Sequence, residues 1–176
     1  MKHRETKSAH EESVLDSFVS YLDAQGQFLQ IVERPDPPHH APDAIVKIDE
    51  HKFWIEITDA FQSTDWARSM FSYAADDKTH QPYKSRLICE PDQEACGKVQ
   101  EVILKKYRKS TMGELLSRYG QGILLVGAYT PLTSPEEIVE QTRENILTEI
   151  SNLKPIFQSI YLYRNTQTGH AFTKLL

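Results

Sequence analysis

The sequence predicts an α/β fold in which helices flank a mixed central sheet. Segments with helical apolar spacing alternate along the chain with short apolar segments of strand length, and such alternation is typical of helices packed on a sheet. Residues 122–129, GILLVGAY, are almost entirely apolar, which indicates a strand buried on both faces. The chain has 176 residues, of which 39% are hydrophobic and 26% charged. We therefore expect one domain, residues 1–176, with a sizeable core.

The first elements are a helix and a β-hairpin. Apolar residues at helical spacing predict a helix over Ser8–Ala24. An apolar stretch, Phe28 to Val32, then leads into a segment with four prolines, which is predicted to be a loop. The segments Ala44–Ile48 and Phe53–Thr58 are rich in Ile, Val, Phe and Trp and are separated by a polar turn. This pattern predicts a hairpin.

The rest of the chain alternates between helices and strands, and its principal elements give the order αβββαβαβ, which leaves out the helix over Ser63–Ala75 and the weaker last strand. Pro135 follows Ser134, which is suited to cap the last helix, and two glutamates occupy its first turn. The predicted elements after the hairpin are a helix over Ser63–Ala75, a short strand over Arg86–Cys89, a helix over Glu94–Lys109, a strand over Gly122–Tyr129, a helix over Pro135–Asn152, a strand over Ile156–Tyr163 and a weaker strand over His170–Leu175.

Composition excludes several classes of protein. Twenty Lys and Arg against 25 Asp and Glu give a net charge of -5, which argues against a protein that coats nucleic acid through its overall charge. No apolar segment is long enough to span a membrane, and no apolar leader follows the N-terminus. The two cysteines, Cys89 and Cys96, are too far apart for a CxxC redox pair, and the seven histidines form no zinc motif. We expect a cytoplasmic protein with ordinary thiols.

The second strand of the hairpin carries an unexpected carboxylate. Glu56 and Thr58 share one face of this strand, while Ile55 and Ile57 share the other. Glu is costly to bury in an apolar strand unless it is paired or binds a metal, and Asp43 lies one hairpin arm away. Two carboxylates are a ligand set suited to Mg²⁺. The alternative is a strand Glu that faces solvent and a Pro-Asp pair that forms an ordinary turn.

Two helices each place a charged residue toward the core. At 100° per residue, the apolar stripe of the first helix is centred on Glu11, with Lys7 one turn earlier. In the helix over Glu94–Lys109, Lys106 lies about 20° from the apolar stripe, and residues 98–109 contain five Lys or Arg against one Glu. One interpretation is that these charged groups enter a polar site. The alternative is that both reach water: Glu11 because the first turn of its helix is frayed, and Lys106 because its aliphatic stem extends over apolar surface.

The arrangement resembles the PD-(D/E)xK nuclease superfamily, which has the restriction-endonuclease-like fold. The residues that carry the resemblance are Pro42-Asp43 and Glu56-Ile57-Thr58 after a hairpin, with an acidic residue on the preceding helix. The segment VQEVILKKYRKS, residues 99–110, looks like the helix that follows the catalytic strand in families with an E-x-T strand. The matching order of elements extends from about residue 8 to residue 165.

The resemblance implies a metal-dependent endonuclease that hydrolyses phosphodiester bonds of nucleic acid, with DNA as the expected substrate. Mg²⁺ or Mn²⁺ would be held by Asp43, Glu56 and the backbone carbonyl of Ile57, with Glu11 as an auxiliary acidic group. Lys106 would stabilise developing charge, and Thr58 would hold a water molecule. A chain of this size would need a homodimer for double-strand cutting or a targeting partner protein for specificity.

One position departs from the superfamily pattern. Thr58 occupies the place where the strand motif normally has lysine, so either Lys106 supplies the missing charge from the helix or the protein no longer cuts. The alternatives are therefore a catalytically inactive protein of this fold that binds nucleic acid or a protein partner, and an unrelated α/β fold in which the match is accidental.

Overall fold

A computed structural model describes residues 3–35, 41–74, 79–83, 90–130 and 132–176. Within these ranges the chain forms five helices and six strands. In chain order they are α1 (His3–Asp23), β1 (Leu29–Glu33), β2 (Ala44–Ile48), β3 (His51–Phe61), α2 (Thr64–Ala74), α3 (Pro91–Arg108), α4 (Ser110–Tyr119), β4 (Gly122–Tyr129), α5 (Pro135–Ser151), β5 (Phe157–Thr166) and β6 (Gly169–Lys174).

The six strands form one mixed sheet in the order β1-β2-β3-β4-β5-β6. The two outer pairs on one side, β1 with β2 and β2 with β3, are antiparallel, and so are β5 and β6. The central strands β3, β4 and β5 run parallel to one another. Seven of the eight residues of β4 are buried, as expected for a parallel strand covered on both faces. The mixed α/β class predicted from the sequence is confirmed.

Each face of the sheet carries its own hydrophobic core. Helix α1 covers one face, where Phe18 packs with the inward residues Ile55 and Ile57 of β3. Helices α3, α4 and α5 cover the other face, where Trp54 and Leu124 lie. Because side chains alternate along a strand, a single strand contributes to both cores. Strand β3 is therefore the element through which groups from α1 and from α3 are brought near each other.

Most predicted elements are present with small shifts at their ends. The hairpin, the helices α1, α2, α3 and α5, and the strands β4, β5 and β6 all occur where the pattern predicted them. Ser134 caps α5, because its side-chain oxygen accepts a hydrogen bond from the Glu137 backbone N–H while the Glu137 carboxylate accepts one from the Ser134 N–H. The predicted strand over Arg86–Cys89 lies outside the described residues.

Two elements correct the predicted order. The stretch at Leu29–Glu33 is a strand, β1, so the three strands after α1 are this one and the hairpin. It was not predicted as a strand because it is a short edge strand with only Leu29 buried. Helix α4 was missed because it is ten residues long, buries only Met112 and Leu115, and has a glycine in its interior. In the part of the chain that the structure describes, no helix is long and apolar enough to cross a membrane.

Candidate active site

The candidate site lies at the edge of β3 where its neighbour β2 begins. Pairing between the two strands starts at Ala44 opposite Ile55, so β2 does not extend along the rest of β3. Asp43 occupies the next position. Its backbone N–H donates to the Ile55 carbonyl at 3.1 Å, and its Oδ2 accepts a hydrogen bond from the Ile57 backbone N–H at 2.7 Å. The Asp43 side chain thus takes the place of a strand partner and is fixed against the backbone of β3.

Glu56 points from this edge toward the helical layer that contains α3. It lies two residues after Trp54, which is part of that core, and strand alternation places both side chains on the same face. Glu56 is 7% exposed. Its Oε1 accepts a hydrogen bond from the Lys106 ammonium at 2.5 Å. A carboxylate buried to this extent requires such a partner, because an unpaired charge in the core is costly.

Lys106 reaches Glu56 because of its phase on α3. It lies one turn after Ile103, which is fully buried in the core beneath the sheet together with Val99. The Lys106 side chain is 17% exposed and the Glu56 side chain 9% exposed. The ammonium is therefore directed into the protein and does not extend into water. The structure brings together Glu56 and Lys106, two residues that the sequence had placed on different elements 50 positions apart.

Glu11 and Lys7 approach from α1 on the opposite face. Their side chains form an ion pair of 3.1 Å between Lys7 Nζ and Glu11 Oε1, with Glu11 largely shielded and Lys7 mostly exposed. Burial acts to lower the pKa of Lys7, but the hydrogen bond and charge of Glu11, with the charges of Asp43 and Glu56, raise it overall. These charges act on one another, so α1 belongs to the same electrostatic site as β3.

Burial and two neighbouring carboxylates destabilise the ionised form of Asp43. Burial raises the pKa of Asp43, and the negative charges of Glu56 and Glu11 raise it further, to about 7, although the Ile57 N–H and the Lys7 ammonium act in the opposite direction. An aspartate with this pKa is partly protonated near neutral pH. A cation placed beside Asp43 would remove the repulsion, which is the electrostatic condition for a metal site.

The donor atoms suit Mg²⁺ without forming a complete cage. No group of three or more His, Cys, Asp or Glu side chains is placed to hold a metal by itself among the described residues. Asp43 and Glu56 supply two carboxylates, and the Ile57 carbonyl faces the same strand edge as its N–H, toward Asp43. Mg²⁺ commonly takes one or two carboxylates and fills its other positions with water and phosphate oxygens. The residues present fit an ion of this kind.

The remaining candidates have distinct positions. Thr58 is half-buried on the same strand face as Glu56 and lies opposite Val126 of β4. Gln100 of α3 donates a hydrogen bond to Glu149 of α5 at 2.9 Å and is directed away from the site. A cleft of about 440 Å³ between α1 and the segment before β2 is lined by Glu11 and Asp43. These two carboxylates are thus open to a ligand from the α1 side.

A second polar cluster beside the site was not predicted from the sequence. The Tyr163 hydroxyl donates a hydrogen bond to Asp59 Oδ1 at 2.6 Å, and His10 Nε2 lies 3.4 Å from the same oxygen and 3.2 Å from the hydroxyl. The hydrogen bond to Asp59 raises the pKa of His10, whereas burial and the charge of Asp59 raise the pKa of Tyr163. Because His10 directly precedes Glu11, this cluster fixes α1 to the sheet next to the candidate site.

Sequence contained one signal for this cluster. Asp59 continues the alternation of Ile55 and Ile57 and therefore occupies an inward position on the α1 face. Gly127 on the neighbouring strand leaves the required space, since a Cβ atom there would lie 2.5 Å from Asp59 Oδ1. The prediction ended the strand at Thr58, so Asp59 was interpreted as part of the irregular segment that followed.

Comparisons with known proteins give little further information. No family model matches the chain, and no curated protein matches it. Among solved structures, SfsA from Pyrococcus furiosus, described in complex with Ca²⁺, aligns with 97% of this chain at 9% sequence identity and a TM-score of 0.37. This chain spans 62% of the length of that chain. At such a TM-score the likeness carries no argument about function.

Proposed function

We propose that the protein is a metal-dependent endonuclease of the PD-(D/E)xK type, with a restriction-endonuclease-like arrangement of its sheet and helices. The observation that supports this most directly is the contact between the Lys106 ammonium and the Glu56 carboxylate. It supplies, from a helix, a positive charge beside the strand carboxylate in a chain that lacks the strand lysine of the superfamily motif. The substrate is nucleic acid, with DNA expected.

The proposed metal site uses groups that meet at the free edge of β3. Asp43 and Glu56 would hold Mg²⁺ or Mn²⁺ with the Ile57 carbonyl, and Glu11 would act as an auxiliary acidic group across the cleft. The chemistry that such an ion supplies when bound is Lewis-acid activation of water and of the scissile phosphate. A bound metal would also favour the ionised form of Asp43, because its charge would offset the repulsion from the neighbouring carboxylates.

The other residues act by position and charge. The Lys106 ammonium contacts Glu56, one of the proposed metal ligands. It would stabilise the negative charge that develops on the phosphate. Its hydrogen bond also fixes the orientation of Glu56. The Thr58 hydroxyl, on the same strand face, would hold a water molecule by hydrogen bonding. A hydroxyl cannot replace a cation, so the charge is assigned to Lys106.

One observation favours a second candidate function, a nuclease-fold module that binds nucleic acid or a protein partner without cutting. Lys106 and Glu56 neutralise each other within the protein, and a buried ion pair of this kind is also compatible with a purely structural role. The two candidates differ in one measurable property, which is hydrolysis that depends on a divalent metal.

A cleavage assay separates the two candidates. Plasmid, linear duplex, single-stranded DNA and RNA are each incubated with Mg²⁺ or Mn²⁺ and, in parallel, with EDTA. We expect metal-dependent cleavage that falls by about 100-fold or more in Glu56→Gln and in Lys106→Met. Lys105→Met and Glu140→Gln serve as matched controls, because both residues are exposed and neither lies in the site; thermal unfolding of all variants identifies any that fail to fold.

Each result has a defined consequence. Cleavage that survives Glu56→Gln contradicts the proposed site. If Glu56→Gln abolishes cleavage while Lys106→Met retains it, the nuclease function stands and the role of Lys106 is lost. If the wild-type protein cleaves no substrate with either metal, the module that does not cut is favoured.

A further inference from the structure

An open cleft of about 840 Å³ lies between the start of α4 and the segment that leads into β5. Its charged lining residues are Arg108, Lys109, Arg118, Lys154 and Glu114. Four of these five carry a positive charge, although the protein as a whole has a net charge of -5. Such a concentration of cations in an acidic protein indicates a local surface for an anionic ligand.

The cations of this cleft are available to a ligand. Lys109, Lys154 and Arg118 are exposed, and within the described residues none of them forms an ion pair with a carboxylate. Arg108 is 65% exposed and shares only a contact of 3.7 Å with Glu149. A weak, exposed ion pair contributes little stability, so Arg108 can also turn toward a ligand.

The cleft adjoins the candidate active site through the last turn of α3. Lys106 is directed inward to Glu56, whereas Arg108 and Lys109, two and three residues later, line the cleft. At about 1.5 Å per residue, Arg108 lies about 3 Å from Lys106 along the helix axis, and Lys109 follows directly after the helix. A ligand bound in the cleft would therefore extend toward the element that supplies the ammonium of the site.

The composition of the cleft favours a duplex over a single strand. Proteins that bind single strands generally stack bases on exposed aromatic rings. The one aromatic residue that lines the described part of this cleft, Tyr107, is 7% exposed, and its ring packs against Phe157. Cations without a stacking surface recognise the phosphate backbone, which is accessible in a duplex regardless of sequence.

We propose that this cleft binds the phosphate backbone of duplex DNA. The proposal rests on the proposed nuclease function, since that function makes nucleic acid the ligand. It adds the location of the contact, the form of the substrate and the absence of sequence readout at this surface. It can be tested by binding alone, without cleavage.

The test measures binding of a fluorescently labelled short DNA duplex by anisotropy in EDTA, across a salt titration between about 50 and 200 mM. Lys109→Glu/Lys154→Glu reverses two charges in the cleft. Lys52→Glu/Lys174→Glu makes the same change in charge at exposed residues on β3 and β6, away from the cleft. We expect the cleft variant to bind roughly tenfold or more weakly and to lose about 1.8 from the log–log salt slope, while the control stays near wild type.

Other outcomes are equally defined. Equal losses in the cleft variant and the control, or no loss in either, would overturn the proposal, and so would a wild-type protein that fails to bind the duplex. Binding of a single strand as tightly as the duplex would overturn the assignment to duplex DNA. A protein that binds through the cleft but does not cleave in the assay with Mg²⁺ would refute the nuclease function and leave the cleft in place.

Discussion

The ammonium of Lys106 lies 2.5 Å from the carboxylate of Glu56, fifty residues earlier in the chain. Both side chains are largely removed from water, and they belong to a helix and to the strand that it covers. The contact has two consequences. It neutralises a carboxylate that the strand buries, and the loss of either partner would leave the other as a buried charge without a counter-charge.

The first prediction concerns the stability of this pair. Removing one partner leaves a buried, unpaired charge, so Lys106→Met and Glu56→Gln should each lower the free energy of unfolding, the former by about 3–5 kcal/mol. The double variant should lose less than the sum of the two losses, because no charge is then left unpaired. Urea denaturation of the metal-free proteins measures all three values. Simple additivity would show that the two groups do not interact in solution.

The second prediction concerns the dependence of stability on pH. The pKa of Asp43 is raised to about 7 in the folded protein, from an ordinary value of 3.8. The folded state therefore binds more protons than the unfolded state between these values, and the stabilisation present at low pH is lost as pH rises through about 7. The loss is at most about 1.4 kcal/mol per pH unit.

Other groups also titrate in this range, so the comparison is made with Asp43→Asn. From pH 5 to pH 8 the metal-free wild type should lose stability relative to this variant, as measured by urea denaturation at each pH. If the difference in the free energy of unfolding between the two proteins does not change with pH, the pKa of Asp43 is not raised in the folded protein.

The sequence was sufficient to predict which charged side chains of the candidate site point toward the core. Helical phase directed Lys106 and Glu11 toward the core, and strand alternation placed Glu56 among apolar residues. The direction of a side chain on a helix or strand is a local property, and the periodicity of the sequence predicts it. Which carboxylate receives which ammonium depends on the packing of α3 on β3, and no local pattern contains that information.

The other polar cluster shows why sequence was not sufficient elsewhere. Asp59 looks like a turn residue after an apolar strand, yet β3 continues to Phe61 and carries it inward. Its hydrogen-bond partner Tyr163 lies 104 residues later. Helix α4 was missed for a different reason: it is only ten residues long and has a glycine in its interior, although Met112 and Leu115 lie at helical spacing on its buried face.

The third prediction uses two glycines with opposite surroundings. A Cβ at position 127 would lie 2.5 Å from Asp59 Oδ1 and 2.9 Å from the Tyr163 ring, which is fully buried. Gly127→Ala should therefore lower the free energy of unfolding by about 1–3 kcal/mol through overpacking. Gly97 lies inside α3, where an added Cβ would meet no atom within 4 Å, so Gly97→Ala should stabilise by about 0.5–1 kcal/mol.

Urea denaturation of both variants checks this prediction. A neutral Gly127→Ala would mean that the cluster of Asp59, Tyr163 and His10 rearranges without cost. A destabilising Gly97→Ala would contradict the free space beside α3.

The last prediction concerns metal binding and protons. Asp43 is partly protonated near pH 7, but a carboxylate ligates a metal in its deprotonated form. Binding of Mg²⁺ or Mn²⁺ should therefore release up to about one proton near neutral pH, and the affinity should fall by up to about tenfold per pH unit below it.

Isothermal titration calorimetry in two buffers with different ionisation enthalpies measures the number of protons released. Asp43→Asn should abolish the release and weaken binding, whereas Asp23→Asn, an exposed residue at the end of α1, should change neither. Metal binding that releases no protons in the wild type would place the ion away from Asp43, because a ligand with a raised pKa must lose its proton when the metal binds.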